Sequence, residues 1–554
     1  MPTVTFSKKR VITAIGDLSD SDLADRISML GTDLERISED EIIVEIFPNR
    51  TDMLSEEGFI HALKNFIGRG DGYEDIEARE SDYELDVDPK MTDVRPYTVA
   101  AVATNVTLDD ESLRALIQLQ EKLHVSYCRK RAKGAIGIYP MEHITWPITF
   151  TARRPESIEF TPLDGEKMNA REMLEAHPAG KAYGGLLKGR PLYPLFVDAN
   201  DNVLSVPPII NSEETGRVTT KTTEIFIEVS GSHLPTLEKT LAIITFSLQK
   251  LGATIHSVTV HYPDHDLITP RTEPQRLPAD PKYLSKLLGF EPKGEELEKL
   301  LATMGLGYDA ENAQAIIPTY RTDMLHPIDI VEDIAIAYGY ENFEADLPDI
   351  STTAHEDGFE SFKRKIAYLL AGFGYQETHT YHLIPKAHQT SIGLAPIELS
   401  NPMNREYDTL RMTVLVSLID VLSKNRNAPM PRSIYEIGRV FHPGESETGI
   451  IEHDELAVLI EDDTASFSTA QQVVDAILSR YGLEYSFADT IEDTNWWHTL
   501  LLEGRRAHVL SNGHVIGEIG DVNPDVLHEN EIHHSVIAVR LNLETVYRLI
   551  QRRA

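Results

Sequence analysis

Asp329, Glu332 and Asp333 stand at i, i+3 and i+4, so a helical stretch would put three carboxylates on one face, with a fourth, Asp323, just upstream. Hard cations such as Mg²⁺ take oxygen ligands and keep part of their water, and such a cluster suits one. A solvated acidic face is the other reading, in a chain with 88 acidic against 52 basic residues. The one cysteine, Cys128, excludes an intrachain disulfide and any multi-thiolate zinc site. A lone cysteine is more often a small buried hydrophobe than a nucleophile. The sequence contains no Walker A loop and no nucleophile elbow, so P-loop and Ser-His-Asp chemistry have no motif to stand on.

The elements that must hold these acids are legible nearby. Pro327 suits a first helical turn, where its missing N–H costs nothing, and Gly339 suits the stop, so a helix is predicted between them. The segment leading into it, Arg321-Thr322-Asp323-Met324-Leu325, repeats Arg50-Thr51-Asp52-Met53-Leu54 at an offset of 271. The same offset lays Phe59, Ile60, Leu63, Ile67 and Gly68 on Ile330, Val331, Ile334, Tyr338 and Gly339, an amphipathic helix with its stop. Gly58, His61 and Ala62 stand where the second copy has Asp329, Glu332 and Asp333, so the fold itself does not require the acids. Each copy follows a β-rich run and, before it, a helical segment (19–30 and 294–303), which predicts two related helix–strand–helix modules, 1–88 and 270–348.

At ~150 residues per domain, 554 residues predict three to four domains. Residues 90–268 mix strand patterns (98–104, 224–229) with helical ones (108–124, 233–251), an α+β insert. The proline-rich 262–281 suits a linker, and 350–554 opens with a helix at 358–372 and alternates strands and helices to the end. The overall class is α+β multidomain. A net charge of −36 argues against a nonspecific nucleic-acid coat, although local basic runs occur at Arg129–Lys133, Lys363–Lys365 and Arg552-Arg553. The absence of any apolar run near ~20 residues and of a signal-peptide pattern predicts a cytoplasmic protein with no membrane partner.

Several motifs in order resemble the β subunit of phenylalanyl-tRNA synthetase of the archaeal and eukaryotic cytosolic type. They are 48–58 (PNRTDMLSEEG), Pro207-Pro208-Ile209-Ile210-Asn211, 226–231 (FIEVSG), Tyr320–Asp323 with 331–340, and Asn401-Pro402, Leu410-Arg411, Asn425 and 434–441. The resemblance implies a partner α subunit in an α₂β₂ tetramer that uses ATP to attach phenylalanine to tRNA(Phe). It also implies a Mg²⁺ site, shared with that partner, on Asp323, Asp329, Glu332 and Asp333. Residues 350–554 resemble a class II synthetase antiparallel-sheet core lacking catalytic motifs: Ile434-Tyr435-Glu436-Ile437 replaces Phe-Arg-x-Glu, and no Gly-rich segment precedes an arginine near the C-terminus. Such a unit would serve as a scaffold.

The resemblance further implies that 90–268 is an editing, tRNA-binding domain that hydrolyses mischarged tyrosyl-tRNA. An apolar pocket rejects an added hydroxyl by only ~10²-fold, so a second site must hydrogen-bond the phenol. Glu228 is the candidate acceptor, with Pro208, Asn211 and Ser230 completing the pocket. Pattern alone favours Glu228 on the wet face of a strand; the resemblance turns the reading toward the pocket. His124 and the basic run after it are candidate contacts for the tRNA 3′ end, against a plain surface helix. Ser232-His233 departs from the Thr-Asp of relatives. A freestanding deacylase and a non-catalytic tRNA-binding scaffold are the alternative functions.

Overall fold

The two Arg-Thr-Asp-Met-Leu segments lie side by side. The Thr51 and Thr322 hydroxyls meet at 2.7 Å, Arg50 reaches Asp52 through two bonds (3.0 and 2.7 Å), and Arg321 does the same to Asp323 (2.9 and 2.8 Å). In this computed structural model residues 2–489 and 497–552 are described, and the chain divides into two units, Met1–Leu347 and Pro348–Ala554. The duplication is larger than the helix–strand–helix expected. Each copy opens with a strand, adds two helices, then two strands and a final helix, and each builds a three-stranded antiparallel sheet with its first strand beside its last. In the first copy Thr3–Ser7 pairs with Glu41–Glu45, which pairs with Asp33–Ile37; in the second Gln275–Pro278 pairs with Gln314–Ile317, which pairs with Gly307–Asp309. The readable sequence match centres on the loop between the last strand and the last helix, which carries the buried Arg–Asp pair in each copy. The supposed linker 262–281 therefore holds two strands, Asp266–Thr269 and Gln275–Pro278, too short to show a period of two.

Between the copies runs an eleven-stranded mixed sheet. The strand Glu84–Val87 pairs within it, so the sheet takes up chain from before residue 90. The strand Ile225–Gly231 is flanked on both sides, by Tyr97–Thr104 and Gly134–Pro140, and every residue of it is buried. Its odd-numbered residues pack with the helices Asp110–Val125 and Leu234–Lys250, in one continuous apolar core that also takes in both duplicated copies. Phe226 on the even side joins a second cluster with Tyr139, Phe150 and Phe196.

In the second unit a seven-stranded sheet is antiparallel except for the edge pairing of Gln376–Glu377 with Arg432–Pro443. The helices Gly358–Gly372, Phe467–Arg480 and Leu543–Gln551 supply residues to the core on one face, and Val414–Lys424 to the core on the other. Of the basic runs, Lys363 is bound to Asp454 at 2.6 Å, and Arg553 lies outside the described residues.

Candidate functional site

Strand alternation puts residues 226, 228 and 230 on the face away from the two long helices. Glu228 lies there 2 % exposed, so it does not occupy a wet face; further strands cover that side of the sheet. Its cross-strand partners are Ala100 and Gly137, small residues that leave room for a carboxyl. A Cβ on Gly137 would collide with Glu228 Oε1 and the Tyr139 hydroxyl. That hydroxyl lies 3.1 Å from Glu228 Oε1 and 2.8 Å from Ser205 Oγ. Glu228 Oε2 has no hydrogen-bond partner among the described residues. Burial pushes the Glu228 carboxyl up to about 8, against the opposing pull of the Tyr139 hydrogen bond, the Arg95 charge and the neighbouring Ser230 hydroxyl, which polarises the carboxyl from behind without hydrogen-bond geometry to Oε2.

Glu228 and Ser205 reach a cavity of 410 Å³ that is walled by Ile136 and Ile138, by Leu116 and Gln120 of the helix, and by the loop from Pro207 to Asn211. Pro208 and Asn211 line it as expected, with Asn211 Nδ2 donating to the Ile138 carbonyl at 3.4 Å. Ser230 does not line it. It is fully buried behind Glu228, where its hydroxyl accepts from Arg95 Nε at 3.1 Å and its carbonyl accepts a second Arg95 bond. Sequence reading missed Ser205, Tyr139 and Gly137. Ser205 stands two residues before Pro207, close enough to the loop to have been noticed, whereas nothing local marks the other two.

His124 is buried, and its Nε2 accepts the Ile136 N–H at 2.9 Å. Burial lowers its basicity, so it forms a neutral part of the cavity wall and not a side chain of a plain surface helix. Arg131 turns inward, donating to the Ile209 carbonyl at 2.8 Å, pairing with Glu121 at 3.0 Å and lying over the Tyr183 ring. Arg129 and Lys130 remain exposed. Cys128 is buried against Thr240, and burial pushes its thiol up to about 11, the condition of an inert core thiol.

The acidic helix runs Pro327–Tyr338, and Asp323, Asp329, Glu332 and Asp333 all line one 350 Å³ cavity. Their oxygens do not converge. Arg321, 1 % exposed at its side chain, binds both oxygens of Asp323 and reaches Asp333 Oδ2 at 2.8 Å. Asp329 Oδ2 accepts the backbone N–H groups of Leu325 and His326 at 2.8 and 2.7 Å, closing the helix start. Glu332 is exposed. Among the described residues no three of His, Cys, Asp and Glu are grouped to hold a metal ion. Burial pushes the Asp333 carboxyl up to about 6; at Asp323 burial is outweighed by the Arg321 guanidinium, which holds that carboxyl below the usual range.

In the second unit the sequence signals Leu410-Arg411 and Tyr435-Glu436 converge. Arg411 binds Glu436 at 2.6 Å, with both side chains 1 % exposed and Thr380 donating to the same carboxylate at 2.7 Å. No helix among the described residues is long and apolar enough to cross a membrane.

Family models match at 344–543, described as the phenylalanyl tRNA synthetase beta chain CLM domain, and at 277–340, the tRNA synthetase B5 domain. The chain is 37% identical over 507 residues to a phenylalanine–tRNA ligase beta subunit of Pyrococcus abyssi, covering 90% of each chain. It is 32% identical over 557 residues to that of Archaeoglobus fulgidus, covering 99% of each. The solved N-terminal fragment of the phenylalanyl-tRNA synthetase beta subunit from Pyrococcus horikoshii matches at a TM-score of 0.59 and 35% identity, over 61% of this chain and 99% of the fragment.

Proposed function

The chain belongs to the phenylalanine–tRNA ligase β-subunit family, a component of an aminoacyl-tRNA synthetase in protein biosynthesis, and from that premise we propose that its insert hydrolyses tyrosine wrongly joined to tRNA(Phe). In this reading a catalytic α subunit, paired with the chain in an α₂β₂ assembly in the cytoplasm, uses ATP to attach phenylalanine. The unit after residue 348 is its scaffold. The single observation that carries the editing reading is the unpartnered Glu228 oxygen, buried at the edge of a mostly apolar cavity.

The discrimination follows from that oxygen. A tyrosyl ring entering the cavity brings a hydroxyl that completes the hydrogen bonding of Glu228, whereas a phenylalanyl ring would seal the group off unpaired. Leaving a buried polar group unsatisfied costs about 1–3 kcal/mol, on the order of 10–100-fold in selectivity from this contact. The aminoacyl ester is already activated, so holding it beside a water, with the tRNA's own hydroxyl and polar neighbours such as Asn211, suffices for hydrolysis without a nucleophile.

The Mg²⁺ expected on Asp323, Asp329, Glu332 and Asp333 does not fit this donor set as a four-carboxylate cage, because Arg321 already neutralises two of the acids. To take all four carboxylates, a hard cation would have to displace an arginine held by three charge-assisted bonds.

Co-purifying the chain with its α partner and supplying tyrosyl-tRNA(Phe) tests the reading. Tyrosyl-tRNA deacylation that falls by roughly 10–100-fold in Glu228→Ala while aminoacylation persists is expected. Background deacylation in the wild type, or hydrolysis unchanged in the variant, would refute editing and favour a binding scaffold; full activity without the partner would favour a freestanding deacylase.

A further inference from the structure

Tyr139 places a phenol against the residue assigned to recognise a phenol. It is fully buried and absent from the cavity wall, while the two groups it touches, Ser205 and Glu228, both line the cavity. Its ring stacks on Phe226 at 5.6 Å between centroids, which leaves its hydroxyl little freedom. Gly137, two residues earlier on the same strand and directly across from Glu228, provides the space in which hydroxyl and carboxyl meet.

A carboxyl group has two oxygens, and a site that recognises one hydroxyl needs only one of them exposed in a fixed direction. Tyr139 engages Oε1 and leaves Oε2 unpartnered. Its single proton cannot serve Ser205 and Glu228 at once, so when it donates to Oε1 the Ser205 hydroxyl donates to it in turn. Ser205, Tyr139 and Oε1 then form a chain with a defined direction, anchored on three different strands. Without the phenol hydroxyl either carboxyl oxygen could rotate toward the cavity.

We propose that Tyr139 is a positioning residue for specificity: it ties up one oxygen of Glu228 and so leaves the other as the one a substrate hydroxyl must reach, fixing where that hydroxyl must lie. The inference rests on the editing reading above. The groups that act on Glu228 are the Tyr139 hydroxyl, the Arg95 charge and the Ser230 hydroxyl; Tyr139 comes first among them, and Arg95 is itself spent on Ser230.

The test uses the complex of the full chain with its α partner. Tyr139→Phe keeps the ring and its stacking and removes only the hydroxyl. The ratio of tyrosyl-tRNA to phenylalanyl-tRNA hydrolysis should fall by about ten-fold, the size of one lost hydrogen bond. The pH midpoint of tyrosyl-tRNA hydrolysis should move to higher pH, because the Tyr139 bond holds the Glu228 carboxyl down. Glu228→Ala is assayed alongside. If that variant cuts tyrosyl-tRNA hydrolysis while Tyr139→Phe keeps both the wild-type ratio and the wild-type midpoint, Tyr139 is merely structural and the inference is overturned, whatever its melting temperature. If Glu228→Ala leaves hydrolysis untouched, the editing reading fails and the role of Tyr139 fails with it.

Discussion

Arg321→Met should be among the most damaging single changes in the first unit. The guanidinium is buried and makes three bonds to two carboxylates, plus one to the Met304 carbonyl at 3.1 Å. Methionine fills much of the volume but strands Asp323 and Asp333. Breaking a buried ion pair from one side costs about 3–5 kcal/mol, because the remaining charge is desolvated without a partner. The unit spans Met1–Leu347, and ~2.1 cal/mol/K of unfolding entropy per residue converts that loss into a melting-temperature drop of roughly 4–7 °C. Arg50→Met, which strands Asp52 alone, should cost less. The deficit has a pH signature. With the guanidinium gone, both acids have folded-state values raised above their unfolded ones, so they impose no penalty when protonated and a growing penalty as pH rises. Calorimetric melts at pH 5 and pH 8 should show a smaller deficit at pH 5, and adding Asp333→Asn should recover part of the loss at pH 8. A deficit under about 1 kcal/mol, or one flat with pH, would show that water reaches these carboxylates and that the burial argument is wrong.

Gly137→Ala should push its new methyl into Tyr139 and Glu228, costing about 1–3 kcal/mol of stability and most tyrosyl-tRNA hydrolysis while aminoacylation by the complex persists; unchanged hydrolysis would mean the site lies elsewhere. Glu228→Gln should gain stability relative to wild type as pH rises from about 4.5 to about 8. The folded carboxyl is held up near 8, so wild type is unpenalised below its unfolded value and penalised above the folded one; urea midpoints at pH 5, 7 and 9 with a constant gap would contradict this. Cys128 should resist iodoacetamide in the native chain and react once the chain is unfolded, read by mass spectrometry; rapid native labelling would show that the thiol is not sealed behind Thr240.

Local chemistry was readable from the residues alone. Pro327 and Gly339 marked the acidic helix, whose last helical residue is Tyr338, and the patterns at 98–104, 108–124, 224–229 and 233–251 became strands and helices within a few residues of the expected ends. The repeated Arg-Thr-Asp-Met-Leu announced the duplication, and motifs spread over the chain pointed to the family. These signals live in neighbouring residues, where turn geometry and side-chain period act directly on the sequence.

The site was decided elsewhere. Tyr139, Ser205, Asn211 and Glu228 come from four different strands, and only sheet register sets Gly137 opposite Glu228. Alternation along a strand predicts that Glu228 faces away from its helices, but not whether water or protein lies there. That depended on distant strands covering the face. Likewise the spacing of four acids was visible, yet the loop that swings Arg321 between Asp323 and Asp333 was not, since which charges end as partners depends on what is buried together once the chain has closed on itself.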